Sequence, residues 1–501
     1  MADSSTCLPT TPNSVSKTYD RIKQYVHKTP LITSRSLNHI ASHPNPCSFL
    51  SENPPPIWSD SPAPQTSSIR SFPATTSSLP PPKFNLYLKL ESHQRIGAFK
   101  ARGAFSAITH LINETGLEKL RKRGVITHSS GNHAQALALA ATTFEIPAWI
   151  VMPSISTKSK IAGVRSFEHA GAGVHVVFSG STAPEREAKV QEVIDAQAKS
   201  IGGDGPTIVP PYDHPDILLG QGTTGLEMEA QFQGQQAGLA KGCGGVSNAS
   251  FNDSVADEHE RGARAVVNGK EARFDAILTP LGGGGLLSGV ATWFSHTHKP
   301  SSPASPQSLS KRTLVFGTEP QYQGANDGER GLATGKRVEH VSTLTIADGL
   351  RTPVGIIPWG IISDKEKVEN VFSVSELEIK MALKLLMERM KVVVEPSSAV
   401  PVAVVLFNKQ FRELVSQRQK MEAEKAGKGS EVRAWDVGIV ISGGNTTVEG
   451  LSKLFAEGWL DEKEDDRAGA RNGQTGVGSE REREVGKVGL DGKRVAEDVA
   501  G

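Results

Sequence analysis

The sequence predicts an α/β protein of open, layered sheets, on three observations. Short apolar runs rich in β-branched residues alternate with amphipathic segments, the runs end at glycines or serines that open the next helical pattern, and glycine-rich turns fall at those junctions. In chain order the candidate buried strands are Leu86–Leu90, Val125–His128, Ala148–Met152, Gly173–Phe178, Ala276–Pro280, Thr313–Thr318 and Val437–Ser442. The candidate helices include Ala101–Asn113, Ala134–Phe144, Ala183–Ser200, Leu286–Ser295, Val374–Met390 and Ser398–Arg412. Open α/β sheets gather ligands at the carboxyl ends of their strands, which is where the glycine-rich turns lie.

Between these elements the composition changes. From His43 to Pro82 the chain is rich in proline and serine with little apolar periodicity, so it reads as a disordered insertion that cannot bury enough surface to offset its ordering entropy. Gln231–Arg273 and the stretch around Pro300–Lys311 read the same way, and Glu462–Gly501 is a glycine-rich, densely charged tail. Lysine and arginine number 55 against 54 aspartates and glutamates, a formal charge of +1, so no global field would hold nucleic acid or an anionic membrane. A small-molecule partner is the expectation. The three cysteines, Cys7, Cys47 and Cys243, stand far apart in no metal-ligand or redox spacing, which suits ordinary thiols in a reducing compartment. No run reaches the roughly 18 apolar residues of a membrane helix, and no basic start is followed by an apolar stretch, so a cytoplasmic enzyme is expected.

Four segments carry candidate chemistry. Gly282-Gly283-Gly284-Gly285-Leu286 follows an apolar strand and opens an apolar helix, so its amides can converge on an anion without Cβ obstruction. It lacks the spaced glycines of a dinucleotide fingerprint and the Gly-Lys-Ser/Thr of a nucleotide-triphosphate loop. In Ser92-His93-Gln94-Arg95-Ile96-Gly97-Ala98-Phe99-Lys100, one lysine stands at the head of a helix beside an aromatic and small residues. Desolvated there, its amine becomes nucleophilic toward an aldehyde. Thr127-His128-Ser129-Ser130-Gly131-Asn132-His133 joins a strand to a helix and presents hydroxyls, an amide and a ring suited to a carboxylate, although Ser130 or Asn132 also reads as a simple helix cap. Ile439-Val440-Ile441-Ser442-Gly443-Gly444-Asn445 is a strand-to-glycine turn bearing an isolated hydroxyl.

Together these pieces resemble the fold-type II pyridoxal-phosphate family of serine and threonine dehydratases, and within it the eukaryotic serine racemases. The resemblance runs from about Ile22 to Leu451 and includes Gly220-Gln221-Gly222-Thr223, Ala347-Asp348-Gly349, Glu388-Arg389-Met390-Lys391 and Glu395-Pro396. It implies a tryptophan synthase β-like fold, with two open twisted α/β domains and the cofactor cleft between them. The large domain would comprise residues 1–123 and 214–461, the small domain residues 124–213, and residues 462–501 would be the tail. It also implies pyridoxal phosphate on Lys100, with Phe99 beside the ring, Asn132 on the phenolic oxygen, Gly282, Gly283, Gly284, Gly285 and Leu286 around the phosphate, and Ser442 at the pyridine nitrogen. Ser129, Ser130, Asn132 and His133 would bind the substrate, and Glu319, the Ala325 carbonyl and Asp327 would hold magnesium or calcium, for which loop oxygens are suitably hard ligands. A homodimer is implied.

The resulting expectation is β-elimination from L-serine or L-threonine to a 2-oxo acid and ammonia. A neutral serine at the pyridine nitrogen makes the cofactor a moderate electron sink, which suits this chemistry. Ser130 resembles the second acid/base residue of serine racemases, so interconversion of L- and D-serine is the alternative. Serine at that position also occurs in relatives that dehydrate 3-hydroxyaspartate. A third reading, a catalytically silent cofactor-binding protein, rests on the long polar insertions.

Overall fold

The computed structural model describes residues 4–51, 79–129, 131–168, 173–240, 266–267, 270–298, 312–427 and 430–456. The strands are β1 (Leu31–Thr33), β2 (Phe84–Leu90), β3 (Val125–His128), β4 (Ala148–Pro153), β5 (Val174–Ser179), β6 (Thr207–Ile208), the short pair β7 (Val266–Val267) and β8 (Lys270–Glu271), β9 (Ala276–Pro280), β10 (Leu314–Pro320), β11 (Asn370–Val374) and β12 (Trp435–Ile441). Six form one sheet in the order β1-β2-β12-β9-β10-β11, and four form a second in the order β5-β4-β3-β6. The second sheet is parallel throughout, and in the first only the β1–β2 pair is antiparallel. A parallel sheet is covered on both faces. Accordingly, every residue of β9 and β10 is buried, which is why these strands read as unbroken apolar runs.

The helices that position the site are α1 (Pro12–Ile22), α2 (Arg35–Ser42), α3 (Lys100–Thr115), α4 (Asn132–Thr143), α5 (Lys158–Arg165), α6 (Ala183–Ile201), α7 (Pro215–Ala240), α8 (Gly285–Phe294), α9 (Asp327–Thr334), α10 (Ile356–Ile362), α11 (Glu376–Leu385), α12 (Pro396–Phe407) and α13 (Lys409–Ala426). Local chemistry sets their ends. Thr182 and Glu185 form a reciprocal cap at the start of α6, which stops at left-handed Gly202; Ser375 and Glu378 repeat the cap on α11.

Four sequence expectations are corrected. The polar stretch from Gln231 is not an insertion at its start, because α7 continues to Ala240. Its glutamines are polar on a packed face: Gln231 Nε2 donates to the Thr29 carbonyl, Gln235 Nε2 to the Leu31 carbonyl and Gln236 Nε2 to the Tyr87 hydroxyl, each at 2.9–3.0 Å. The proline-rich stretch begins folded as well, with Pro46–Leu50 in a 3-10 turn that buries Cys47, Phe49 and Leu50 against α2 and β2. The single helix expected over Val374–Met390 is strand β11, helix α11 and a π-turn at Leu386–Met390. Finally, the helix expected over Ser398–Arg412 breaks at Asn408, whose Oδ1 accepts from Phe411 N at 2.9 Å and caps α13. Residues 52–78, 241–265, 268–269 and 300–311 of these stretches, and the tail from 462, lie outside the described residues.

Candidate active site

The site is built from turns at the carboxyl ends of β2, β3, β9 and β12. After β2 the chain passes through two 3-10 turns to Lys100 at the head of α3. Ile96 in the second turn has φ +60, a costly conformation for a β-branched residue. It is held in place: Asn445 Nδ2 donates to the Ile96 carbonyl at 2.8 Å, Gly444 N donates to the Gly97 carbonyl, and Phe99 N donates to the Ser442 carbonyl. The lysine turn and the Ser442 turn are thus sewn together. Lys100 Nζ lies 5.2 Å from the centre of the Phe99 ring and donates to the Pro211 carbonyl at 2.7 Å. Burial pulls the amine down to about 8, against the opposing pull of Glu395.

Pro211 leads directly to the glycine turn. A Cβ on Gly283 would fall 2.4 Å from the Tyr212 ring, and one on Gly285 would meet Tyr212 at 3.3 Å, so the ring fills the space that side chains would take. A Cβ on Gly282 would lie 3.0 Å from the Gly349 carbonyl, and Gly284 has φ +89. Glycine is required here on both counts. The turn opens α8, whose first amides have no intrahelical acceptors and, with the helix dipole, would favour an anion. Ser442, 3% exposed, lies 3.1 Å from Ser398 Oγ, which donates to the Gly443 carbonyl.

At the head of α4, Asn132 Nδ2 faces both oxygens of Glu395 at 3.2–3.3 Å, while its Oδ1 accepts from Asn445 Nδ2 at 2.8 Å. Burial raises Glu395 to about 7, and Asp348 adds to the rise. Asp348 in turn pairs with Lys160 of α5 at 2.5 Å. Ser129 Oγ accepts from Gly131 N at 3.3 Å. His133 is 2% exposed and meets the Val209 carbonyl through Nε2 at 3.2 Å; burial, with Lys100 nearby, lowers its pKa to about 3, so the ring is neutral. Ser130 lies outside the described residues. The structure therefore brings Lys100, Phe99, Asn132 and Ser442 together through Glu395 and Asn445, with the glycine turn packed on Tyr212, the residue after the Lys100 acceptor.

The metal ligands expected from the sequence lie at the end of β10 and the head of α9. Glu319 is fully buried and accepts from Gly328 N and Glu329 N at 2.9 and 3.0 Å; Asp327 Oδ2 accepts from Val354 N at 2.9 Å. Burial and the facing Asp327 push Glu319 well up, and burial pushes Asp327 up to about 6. Two buried carboxylates that repel one another, with the buried Ala325 between them in sequence, are a hard-oxygen set suited to a divalent cation. The turn between them, Tyr322–Gly324, is accommodated by positive φ at Gln323 and Gly324.

Sequence reasoning did not single out Glu395, Asn445, Tyr212 or Lys160 as site residues. Glu395 left a usable signal, an acid immediately before the N-terminal proline of a helix that follows a valine run. The others left none, because their roles depend on which turns meet in space.

The model of the family described as pyridoxal-phosphate dependent enzyme matches residues 73–419. The chain belongs to that family. A desolvated amine, a glycine turn at a helix head and a buried hydroxyl are groups that would suit that cofactor's aldehyde, phosphate and ring nitrogen. Among relatives, L-threo-3-hydroxyaspartate ammonia-lyase of Saccharomyces cerevisiae is 31% identical over 87% of this chain and 94% of that protein. Serine racemase of Arabidopsis thaliana is 31% identical over 88% of this chain and 95% of that protein. The structure of maize serine racemase superposes with a TM-score of 0.59 at 27% identity, covering 88% of this chain and 96% of that one. The enzyme thus belongs to a group of ammonia-lyases and racemases with the fold-type II α/β architecture.

Proposed function

We propose that this enzyme is an ammonia-lyase of small β-hydroxy amino acids, L-serine and L-threonine above all, releasing a 2-oxo acid and ammonia. The observation that carries this reading is the buried Lys100 amine within electrostatic reach of the buried Glu395 carboxyl, which lies against Asn132 beside the Ser442 turn, burial bringing the amine down to about 8 and the carboxyl up to about 7. Elimination needs a base for the α-proton and a proton for the departing hydroxyl, and these two groups can exchange roles near neutral pH. Pyridoxal phosphate, held by Lys100, Ser442, Asn132 and the amides of Gly282–Leu286, supplies the electron sink that makes the α-proton acidic. Lys100 takes that proton as free base. Ser129, Asn132 and the opening amides of α4 hold the substrate carboxylate, and neutral His133 supports that turn through Val209. Glu319, Ala325 and Asp327 would bind magnesium or calcium, stabilising β10 and α9. The proposed enzyme is a cytoplasmic homodimer, with the large domain split into residues 1–123 and 214–461 around a small domain of residues 124–213.

A second reading, 3-hydroxyaspartate as substrate, is favoured by Lys160, a cation close enough to act on Glu395 and able to meet a second carboxylate. Ser130 keeps racemisation of serine as a further activity of the same site. Keto-acid and chiral assays on L-serine, D-serine, L-threonine and L-threo-3-hydroxyaspartate, each with and without magnesium, test all three. Keto acid from L-serine and L-threonine, abolished in Lys100→Ala, is expected; turnover of none of these substrates would remove the proposal and leave a silent cofactor-binding protein.

A further inference from the structure

Cys7 was unremarkable in sequence, yet the fold seats it in a cluster of metal-ligating side chains outside the cofactor site. Cys7 Sγ lies 3.4 Å from Asp216 Oδ2, 3.9 Å from His110 Nδ1 and 4.0 Å from His214 Nε2. His110 Nδ1 lies 2.5 Å from the same Asp216 oxygen, and His214 Nδ1 lies 3.6 Å from it. Among the described residues Cys7, His110 and Asp216 are the one set of three such side chains whose donor atoms all fall within 4.8 Å of one another. They come from three separate parts of the chain: the segment before α1, the middle of α3 and the first turn of α7.

The chemistry of this set is specific. A thiolate, an imidazole nitrogen and a carboxylate oxygen are the ligands zinc takes, and magnesium or calcium would reject the sulfur. A zinc tetrahedron with ordinary bond lengths has S···N and S···O edges of roughly 3.5 Å and an N···O edge of roughly 3.3 Å. The Cys7–Asp216 distance of 3.4 Å matches. The Cys7–His110 distance of 3.9 Å must close by about 0.4 Å and the His110–Asp216 contact of 2.5 Å must open by about 0.8 Å to reach those edges. Asp216 is 2% exposed, so the carboxylate is fixed before any ion arrives. His214 closes the other side of the thiol and the carboxylate, the place of an imidazole that orients first ligands.

We propose that Cys7, His110 and Asp216 form a zinc site, flanked by His214, that clamps the N-terminal segment onto α3 and α7. Binding displaces the thiol proton to solvent; the His110 Nδ1 proton is released as well where the ring is an imidazolium beside Asp216, and moves to Nε2 where the ring is neutral, so one to two protons leave per ion. Burial and Asp216 hold the free thiol up at about 12, which leaves Cys7 protonated and unreactive until a metal arrives.

The test uses full-length, tag-free holoenzyme stripped with a chelator and titrated with zinc, and separately with cobalt. One zinc per chain is expected, unaffected by excess magnesium, and cobalt should give visible d–d bands to the red of the cofactor absorbance with the intensity of a tetrahedral, sulfur-bound ion. Cys7→Ala should lose both signals while keeping keto-acid turnover, and His110→Gln should weaken zinc by about tenfold or more, a typical cost of losing a ligand-sphere group. Zinc raising the unfolding temperature of wild type but not of Cys7→Ala would support the clamp. Equal zinc binding by wild type and Cys7→Ala, or cobalt bands of an octahedral all-oxygen site, would overturn the proposal, and the wild-type cobalt spectrum decides the matter even if a variant fails to fold.

Discussion

At the scale of the residue, the account turns on one amine. An ordinary lysine near 10.5 is almost wholly protonated at neutral pH, whereas Lys100 at about 8 presents roughly a tenth of its molecules as free base at pH 7. The rate at which cofactor-free protein takes up pyridoxal phosphate should therefore rise with pH and level off above about 8. Stopped-flow absorbance against pH measures this; a rise that continues to pH 10 would mean that the amine is not desolvated. This residue was legible in the sequence, because a lysine at a helix head beside a phenylalanine and small residues already suggested an aldehyde-reactive amine. Glu395 escaped attention for a physical reason. Nothing in Val-Val-Glu-Pro says that the carboxyl will be buried against Asn132 and raised by Asp348, since that follows only once the turns after β3 and β12 face each other.

At the scale of the element, small residues decide how closely helices approach. A Cβ on Gly289 of α8 would fall 2.2 Å from the Leu218 carbonyl and 2.5 Å from Gly222 N of α7, and a Cβ on Gly220 would fall 2.6 Å from the Arg102 carbonyl. The segment Gly220-Gln221-Gly222-Thr223 is thus a packing face against α3 and α8, a role its sequence did not disclose. Gly289→Ala should cost about 1–3 kcal/mol by overpacking and weaken cofactor affinity by tilting the cradle. Gly360, exposed on the outer side of α10, has no atom within 4 Å of a built Cβ, so Gly360→Ala should be neutral or stabilise by up to about 1 kcal/mol. Denaturant unfolding of both variants checks the contrast. Strand positions were legible because buried parallel strands are continuous apolar runs; α7 was obscured because its packed face carries glutamines, and β11 because it is short and runs straight into the capping box of α11.

At the scale of the whole molecule, a buried charge network ties the first strands to the helices beneath the site. Arg102 binds Glu91 and Glu227, and Lys89 binds Glu227, all four side chains being at most 1% exposed. Two cations meet two anions. Burial alone would raise Glu227, but Arg102 and Lys89 outweigh it and bring the group down to about 2. A carboxylate lowered on folding adds stability that is complete above its ordinary value of 4.5 and is lost as pH falls through about 2. Acid unfolding should therefore steepen between these limits. Arg102→Ala, which leaves buried Glu91 without its cation and Glu227 with Lys89 alone, should cost about 3–5 kcal/mol. Equilibrium unfolding at pH 7 measures it. The sequence announced none of this network, since charged residues are ordinarily read as surface.

The most direct test of the central claim is covalent. The protein is loaded with pyridoxal phosphate, reduced with borohydride, digested and sequenced by mass spectrometry. The expected result is a single phosphopyridoxyl adduct on Lys100, absent from Lys100→Ala. An adduct on any other lysine, or a protein that takes up no cofactor, would contradict the account.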